Sequence, residues 1–249
     1  VPRWGGRPGS ADARPDHLIA PDADLKTTIA HQVPLVITSL GISSEVVDRI
    51  HEYGGLVFHD VINRRQAEKA AAANVDGLIL VTAGAGGHAG RLNPFAFVAE
   101  IRPWFDRTIV LAGGITNGRQ IAAAHLLGAD MVSIGTRFIS TTESGAPDDY
   151  KRMILATQAE DIAYTPAMTG VSASFLKPSL LAWGIDSEAP QSDKIDSATR
   201  TVRHDGREGK VWRDIWSAGQ GVGAIDDIPR ATILCERLAQ EYRSASAGA

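Results

Sequence analysis

The sequence predicts an α/β fold, a TIM-type β/α barrel, from three observations. Short apolar β-rich segments recur at a nearly constant step. Helical patterns fill most of the intervals. Glycine stands where the strands end, which in a β/α barrel is the active-site face. The segments start near Val33, Gly55, Gly77, Thr108 and Met131, at steps of 22, 22, 31 and 23 residues. Strand and helix in alternation predict a parallel sheet.

In chain order, residues 1–24 are rich in Pro, Gly and charge and read as loop or linker, with a short helix from Leu25 to His31. The strands are Val33–Leu40, Gly55–Val61, Gly77–Val81, Thr108–Gly114 and Met131–Thr136, with helices at Ser44–Tyr53, Arg64–Asn74 and Gly118–Leu127. The long third step adds about nine residues, and these hold Gly84-Ala85-Gly86-Gly87-His88-Ala89-Gly90. Glycine lets main-chain N–H groups approach an anion or a flat ring, and imidazole exchanges a proton near neutral pH. Gly86 and Gly87 are therefore candidate ligand contacts and His88 a candidate base.

The last two strands exit through Gly113-Gly114 and Gly135-Thr136. Loops after strands 7 and 8 of such barrels hold phosphate on backbone amides at the start of a short helix. Numbering back from there makes the five strands 4 to 8, and the 32 residues before Val33 are too few for three more units. Residues 25–160 thus read as the back five-eighths of a barrel, binding the cofactor, with the front absent and two sheet edges exposed. Residues 161–249 read as a helical extension over the active-site face: Val171–Trp183 is apolar, Asp186–Gly209 is an exposed loop, and a closing helix starts at Asp226, Asp227 and Pro229.

The run from about Asp24 to Tyr242 resembles the nitronate monooxygenase (2-nitropropane dioxygenase) family. The resemblance rests on Ala85–Gly90, Ala112–Ile115, Gly135–Phe138, Gly170–Leu176 and Trp216–Gly221. It implies an FMN-containing β/α barrel with His88 as catalytic base. Gly113, Gly114, Gly135 and Thr136 would be contacts of the FMN phosphate, and the segment from Ser217 to Gln220 would lie close to the flavin. The implied substrates are a small nitronate or nitroalkane and dioxygen, giving a carbonyl compound and nitrite. The same loop is shared by FMN-dependent NAD(P)H:quinone and enoyl-thioester reductases, an open alternative. A non-catalytic partial barrel that needs a missing segment or a partner is the alternative of another class.

Composition agrees with a soluble protein of one large domain: 249 residues, 44% hydrophobic, net charge −4. No basic stripe suits nucleic acid, and no apolar run of about 18 residues suits a membrane span. No His/Cys/Asp/Glu cluster has metal-ligand spacing. The single cysteine, Cys235, shares a predicted apolar helix face with Leu234 and Leu238 and reads as a packed thiol, and the expected compartment is the cytoplasm. His59 ends the second strand beside Asp60, and alternation turns only one of the two toward the barrel mouth. His59 is therefore a candidate pocket residue. The remaining histidines, His17 among them, read as solvated or partly packed. The oligomeric state is left open.

Overall fold

A computed structural model describes residues 21–187, 195–196 and 199–247. In chain order it contains α1 (Pro21–Ala30), β1 (Leu35–Thr38), α2 (Ser44–His51), β2 (Leu56–Val61), α3 (Arg64–Ala72), β3 (Gly77–Val81), β4 (Gly87–His88) and α4 (Pro94–Ile101). There follow β5 (Thr108–Ala112), α5 (Gly118–Leu127), β6 (Met131–Ser133), α6 (Thr136–Ile139), α7 (Asp148–Ala156), β7 (Ile162–Thr165) and β8 (Ala173–Leu176). The last elements are α8 (Lys177–Leu181), β9 (Ile195–Asp196), β10 (Thr201–His204), β11 (Arg207–Lys210) and α9 (Ala231–Ser246).

The five rhythmic strands form one all-parallel sheet in the order β1-β2-β3-β5-β6, the strand–helix repeat of a TIM-type β/α barrel. The helices between the sheet strands, α2, α3, α4 and α5, each start where a side chain caps them: Ser43, Asn63, Asn93 and Asn117 accept from the N–H of Val46, Gln66, Phe95 and Gln120 respectively. At the other end of the sheet Asp76 and Asp130 accept the N–H of Val57 and Ile109, both at 2.8 Å, tying each strand to its neighbour's entry. The main core lies between sheet and helices, where Val57, Val61, Leu78, Leu80, Ile109 and Leu111 meet Ile50, Phe97 and Ile101. The opposite, inner face carries Phe58, Ile79, Val110 and Ala112.

After residue 160 the chain departs from the expected helical extension. β7 and β8 pair antiparallel, β8 pairs in turn with β4, and β9, β10 and β11 make a second antiparallel sheet. The stretch expected as an exposed loop, Asp186–Gly209, therefore holds ordered strands in its described part, and Thr201 and Val202 are buried. Its polar composition hid them: in β10 the buried neighbours Thr201 and Val202 are followed by exposed Arg203 and half-buried His204, so no alternation marks the strand. The closing helix begins at Ala231, later than expected, and its first N–H is accepted by Glu143 at 2.9 Å. Asp227 instead pairs with Arg137 and Arg237. Cys235 is exposed: Leu234 and Leu238 are buried, and a position one residue on from Leu234 is turned about 100° around the helix. The linker reading of residues 1–24 and the reading of His17 fall on residues 1–20, outside the described residues, and Pro21–Asp24 belong to α1.

Candidate active site

Three strand-exit loops and a distant segment meet at one end of the parallel sheet. The Gly84 carbonyl accepts from the N–H of Gly114 and of Gln220, each at 3.0 Å. The Thr136 hydroxyl accepts from the N–H of Gly219 at 2.9 Å. The loops after β3, β5 and β6 are thus bonded into one platform through Gly219 and Gln220. Backbones approach so closely that a Cβ on Gly86 would stand 2.8 Å from the Gly219 nitrogen. Part of the glycine signal is therefore loop-to-loop packing. Gly84, Gly86 and Gly113 each have another loop's atoms where a side chain would go, whereas Gly87, Gly114 and Gly135 face open space there.

The expected phosphate contacts divide accordingly. The Gly114 N–H is spent on Gly84, so this residue shapes the platform with its left-handed backbone (φ +71°) and offers room. The N–H groups of Gly135 and Thr136, which open α6, donate to no acceptor among the described residues. Arg137, only 3% exposed, pins α6 from behind by donating to the carbonyls of Ser140 and Asp227 and to the Asp227 carboxylate. Ser217 is held through its carbonyl by the Tyr150 hydroxyl, and Tyr150 stacks on Trp216 at 5.0 Å. The Gln220 side chain is exposed.

His88 rises beside this platform on β4, in register with Ala173 of β8. Its Nε2 lies 3.2 Å from Thr169 Oγ1, and its ring meets Trp212 edge-on at 5.2 Å. Thr169 donates its one hydroxyl proton to the Val171 carbonyl at 2.9 Å, so in this pair it accepts from His88 Nε2–H. The lone pair of the neutral ring is then on Nδ1. His88 as a residue is exposed, but partial desolvation of its ring against its neighbours, and next the Arg200 guanidinium, hold the imidazole pKa below its ordinary 6.5.

His59 is not at the mouth. It is 4% exposed, shares the helix-facing side of β2 with Val57 and Val61, and contacts Thr38 Oγ1 through Nδ1 at 2.7 Å. Asp60 has the other parity. It follows Phe58 on the inner face, in register with Ile79. Alternation left two candidates, and knowing which face the helices cover decides for Asp60. Thr169, Trp212 and Arg200 were missed altogether, since nothing in their local patterns ties them to a histidine in an earlier segment.

Residues 20–241 match the nitronate monooxygenase family. The chain belongs to that family. A Mycobacterium tuberculosis protein named as a monooxygenase is 30% identical over 88% of this chain, which spans 61% of that relative's length. A nitronate monooxygenase of Paraburkholderia phytofirmans is 26% identical over 88% of this chain, which spans 64% of it. A hydroindane-carboxyl-CoA dehydrogenase of Rhodococcus jostii is 24% identical over 93% of this chain and 77% of its own. Among solved structures, nitroalkane oxidase from Streptomyces ansochromogenes superposes at a TM-score of 0.75 with 28% identity, covering 91% of this chain and 69% of that one. No helix among the described residues is long and apolar enough to cross a membrane.

Proposed function

We propose that the whole protein is an FMN-dependent oxidoreductase that oxidises alkyl nitronates, and nitroalkanes, with dioxygen to a carbonyl compound and nitrite. The observation that carries this reading is an imidazole whose Nε2 is held by Thr169 and whose Nδ1 has no hydrogen-bond partner among the described residues, at the same sheet end as open glycines. Family membership supports the chemistry. The fit to FMN is carried by Gly114 and Gly135, where no atom fills the Cβ position, and by the N–H groups of Gly135 and Thr136, which are suited to a phosphate. Gly86, Gly87, Gly113, Ser217 and Gln220 are proposed as further residues around the cofactor. When bound, FMN supplies the redox chemistry.

The chain's own residues handle the proton and the charge. Neutral His88 takes the acidic proton from the carbon next to a nitro group at Nδ1, while Thr169 keeps the ring from rotating. Trp212 shields one edge of the imidazole, which favours the uncharged form before reaction. A substrate that arrives as the nitronate does not need that step.

A second reading has its own support in the Rhodococcus dehydrogenase, whose named substrate is a coenzyme A ester. On it the same site would pass hydride between NAD(P)H and an enoyl thioester or a quinone. Turnover assays of the whole protein with propane-2-nitronate, 2-nitropropane, and NADH plus an enoyl thioester separate the two, and an absorbance spectrum reports flavin. Nitrite release with an oxidised-flavin spectrum is the expected result; NADH oxidation without nitrite release overturns the proposal.

A further inference from the structure

We propose that Arg200 grips the two oxygens of the substrate's nitro or nitronate group, so that the site selects small planar anions and holds them beside Nδ1 of His88. This rests on the reading of His88 as the base of a nitronate site and adds to it the residue that recognises the charge.

The argument starts from the small sheet that sequence patterns did not reveal. The Val211 N–H donates to the Arg200 carbonyl at 2.9 Å, extending the β10–β11 pairing by one step. The next residue, Trp212, makes a T-shaped contact with the His88 ring and stacks on Phe175 of β8 at 4.9 Å. β8 is the strand that pairs with β4, which bears His88. Arg200 is therefore delivered to the histidine by a continuous set of backbone and ring contacts. Arg200 and Trp212 both hold left-handed backbone, at φ +52° and +76°, so the turn directs them in a conformation that side-chain-bearing residues seldom adopt.

Two cations stand at this turn, and only one is committed to structure. Lys210 Nζ donates to Thr201 Oγ1 at 2.7 Å and to the Thr199 carbonyl. Arg200 is half-buried, and among the described residues no carboxylate pairs with it. Its charge is felt at His88, where it opposes protonation of the ring. A partly desolvated cation without a counter-charge gains from an anion that arrives with the ligand. The guanidinium offers two parallel N–H groups in a planar fork. A nitronate presents two oxygens on one trigonal nitrogen, the same geometry as a carboxylate, and matches that fork. The pairing also has the right sign for catalysis. Negative charge grows on the nitro oxygens as His88 removes the carbon-bound proton, so a fixed cation stabilises the transition state more than the neutral nitroalkane.

The test uses the whole protein as wild type, Arg200→Gln and Arg200→Lys, with isobutyrate as a stable mimic of propane-2-nitronate and isobutyramide as its uncharged control. Binding is read from the imidazole resonances of His88 by NMR, and turnover from kcat/KM for propane-2-nitronate. The expected result is isobutyrate affinity roughly 10- to 100-fold weaker in Arg200→Gln, as for loss of hydrogen bonds to a charged group. Arg200→Lys should be intermediate, with isobutyramide unaffected and kcat/KM falling in parallel. Equal isobutyrate affinity in wild type and Arg200→Gln, or no binding by wild type, overturns the clamp. If Arg200→Gln does not fold, Arg200→Lys decides by the same comparison. Arg200-dependent isobutyrate binding in a protein that releases no nitrite from propane-2-nitronate supports the clamp and overturns the nitronate reading instead.

Discussion

At the scale of single residues, the proposed mechanism makes the state of His88 set the pH response. A base must be neutral to accept a proton, and partial desolvation and Arg200 both hold this imidazole pKa down. The acid limb of kcat/KM for 2-nitropropane should therefore lie below pH 6.5, and in Arg200→Gln it should move up toward 6.5 without passing it, because the desolvation remains. An unchanged limb in that variant would show that Arg200 does not act on the ring. His88→Asn should lower kcat/KM for 2-nitropropane by about 10²–10⁴-fold. The loss on pre-formed nitronate should be smaller, since no proton has to leave carbon. His59 makes a separate prediction about stability. Burial first, and Lys69 second, depress its pKa below 6.5. A depressed histidine contributes stability that is present above pH 6.5 and lost as pH falls through the folded value. His59→Asn should flatten the acid side of a plot of urea midpoint against pH.

Elements join at the site through glycine and through one buried arginine. A Cβ on Gly219 would collide with the Gly84 carbonyl and stand 2.9 Å from the Gly86 nitrogen. Both are backbone atoms that cannot rotate away. Gly219→Ala should therefore destabilise by about 1–3 kcal/mol, read as a lower urea midpoint. Gly114→Val meets no such collision, but it forces a β-branched residue to φ +71° and fills the open side of the platform. Flavin retention after dialysis should fall in this variant, and full occupancy would remove Gly114 from the binding site. Arg137 acts behind the loop, joining α6 to the segment that leads into α9. Its partner Asp227 is partly exposed and keeps Arg237, so Arg137→Ala should cost only about 2 kcal/mol, from lost hydrogen bonds and packing.

Across the whole molecule, the parallel sheet leaves its two outer strands, β1 and β6, without partners among the described residues. Their inner-face residues are the exposed ones: Ile37, in register with Phe58, is 59% exposed, and Met131, in register with Val110, is 57% exposed. Unpaired apolar edges are templates for further strands. The 249-residue chain by itself should self-associate through these edges, and Ile37→Lys with Met131→Lys should lower its apparent mass in light scattering. No change in mass would show that the edges are not the contact.

The sequence by itself determined the parallel strands, the helices between them and the end of the sheet where glycine and histidine gather. These follow from local rules: apolar runs of strand length, helical periodicity, and residues that permit tight turns. Tertiary structure decided what depends on the far side of a contact. Thr169 meets His88 from 81 residues away, and Arg200 reaches it through a sheet whose charged faces gave no periodic signal. The helices covering one side of β2 turn His59 into the core and Asp60 onto the inner face. Close backbone approach explains Gly84 and Gly86, while open space distinguishes Gly114 and Gly135, although all four look alike in a sequence. Which glycines serve packing and which leave room for a ligand is set by neighbouring loops, and those neighbours are brought together only by folding.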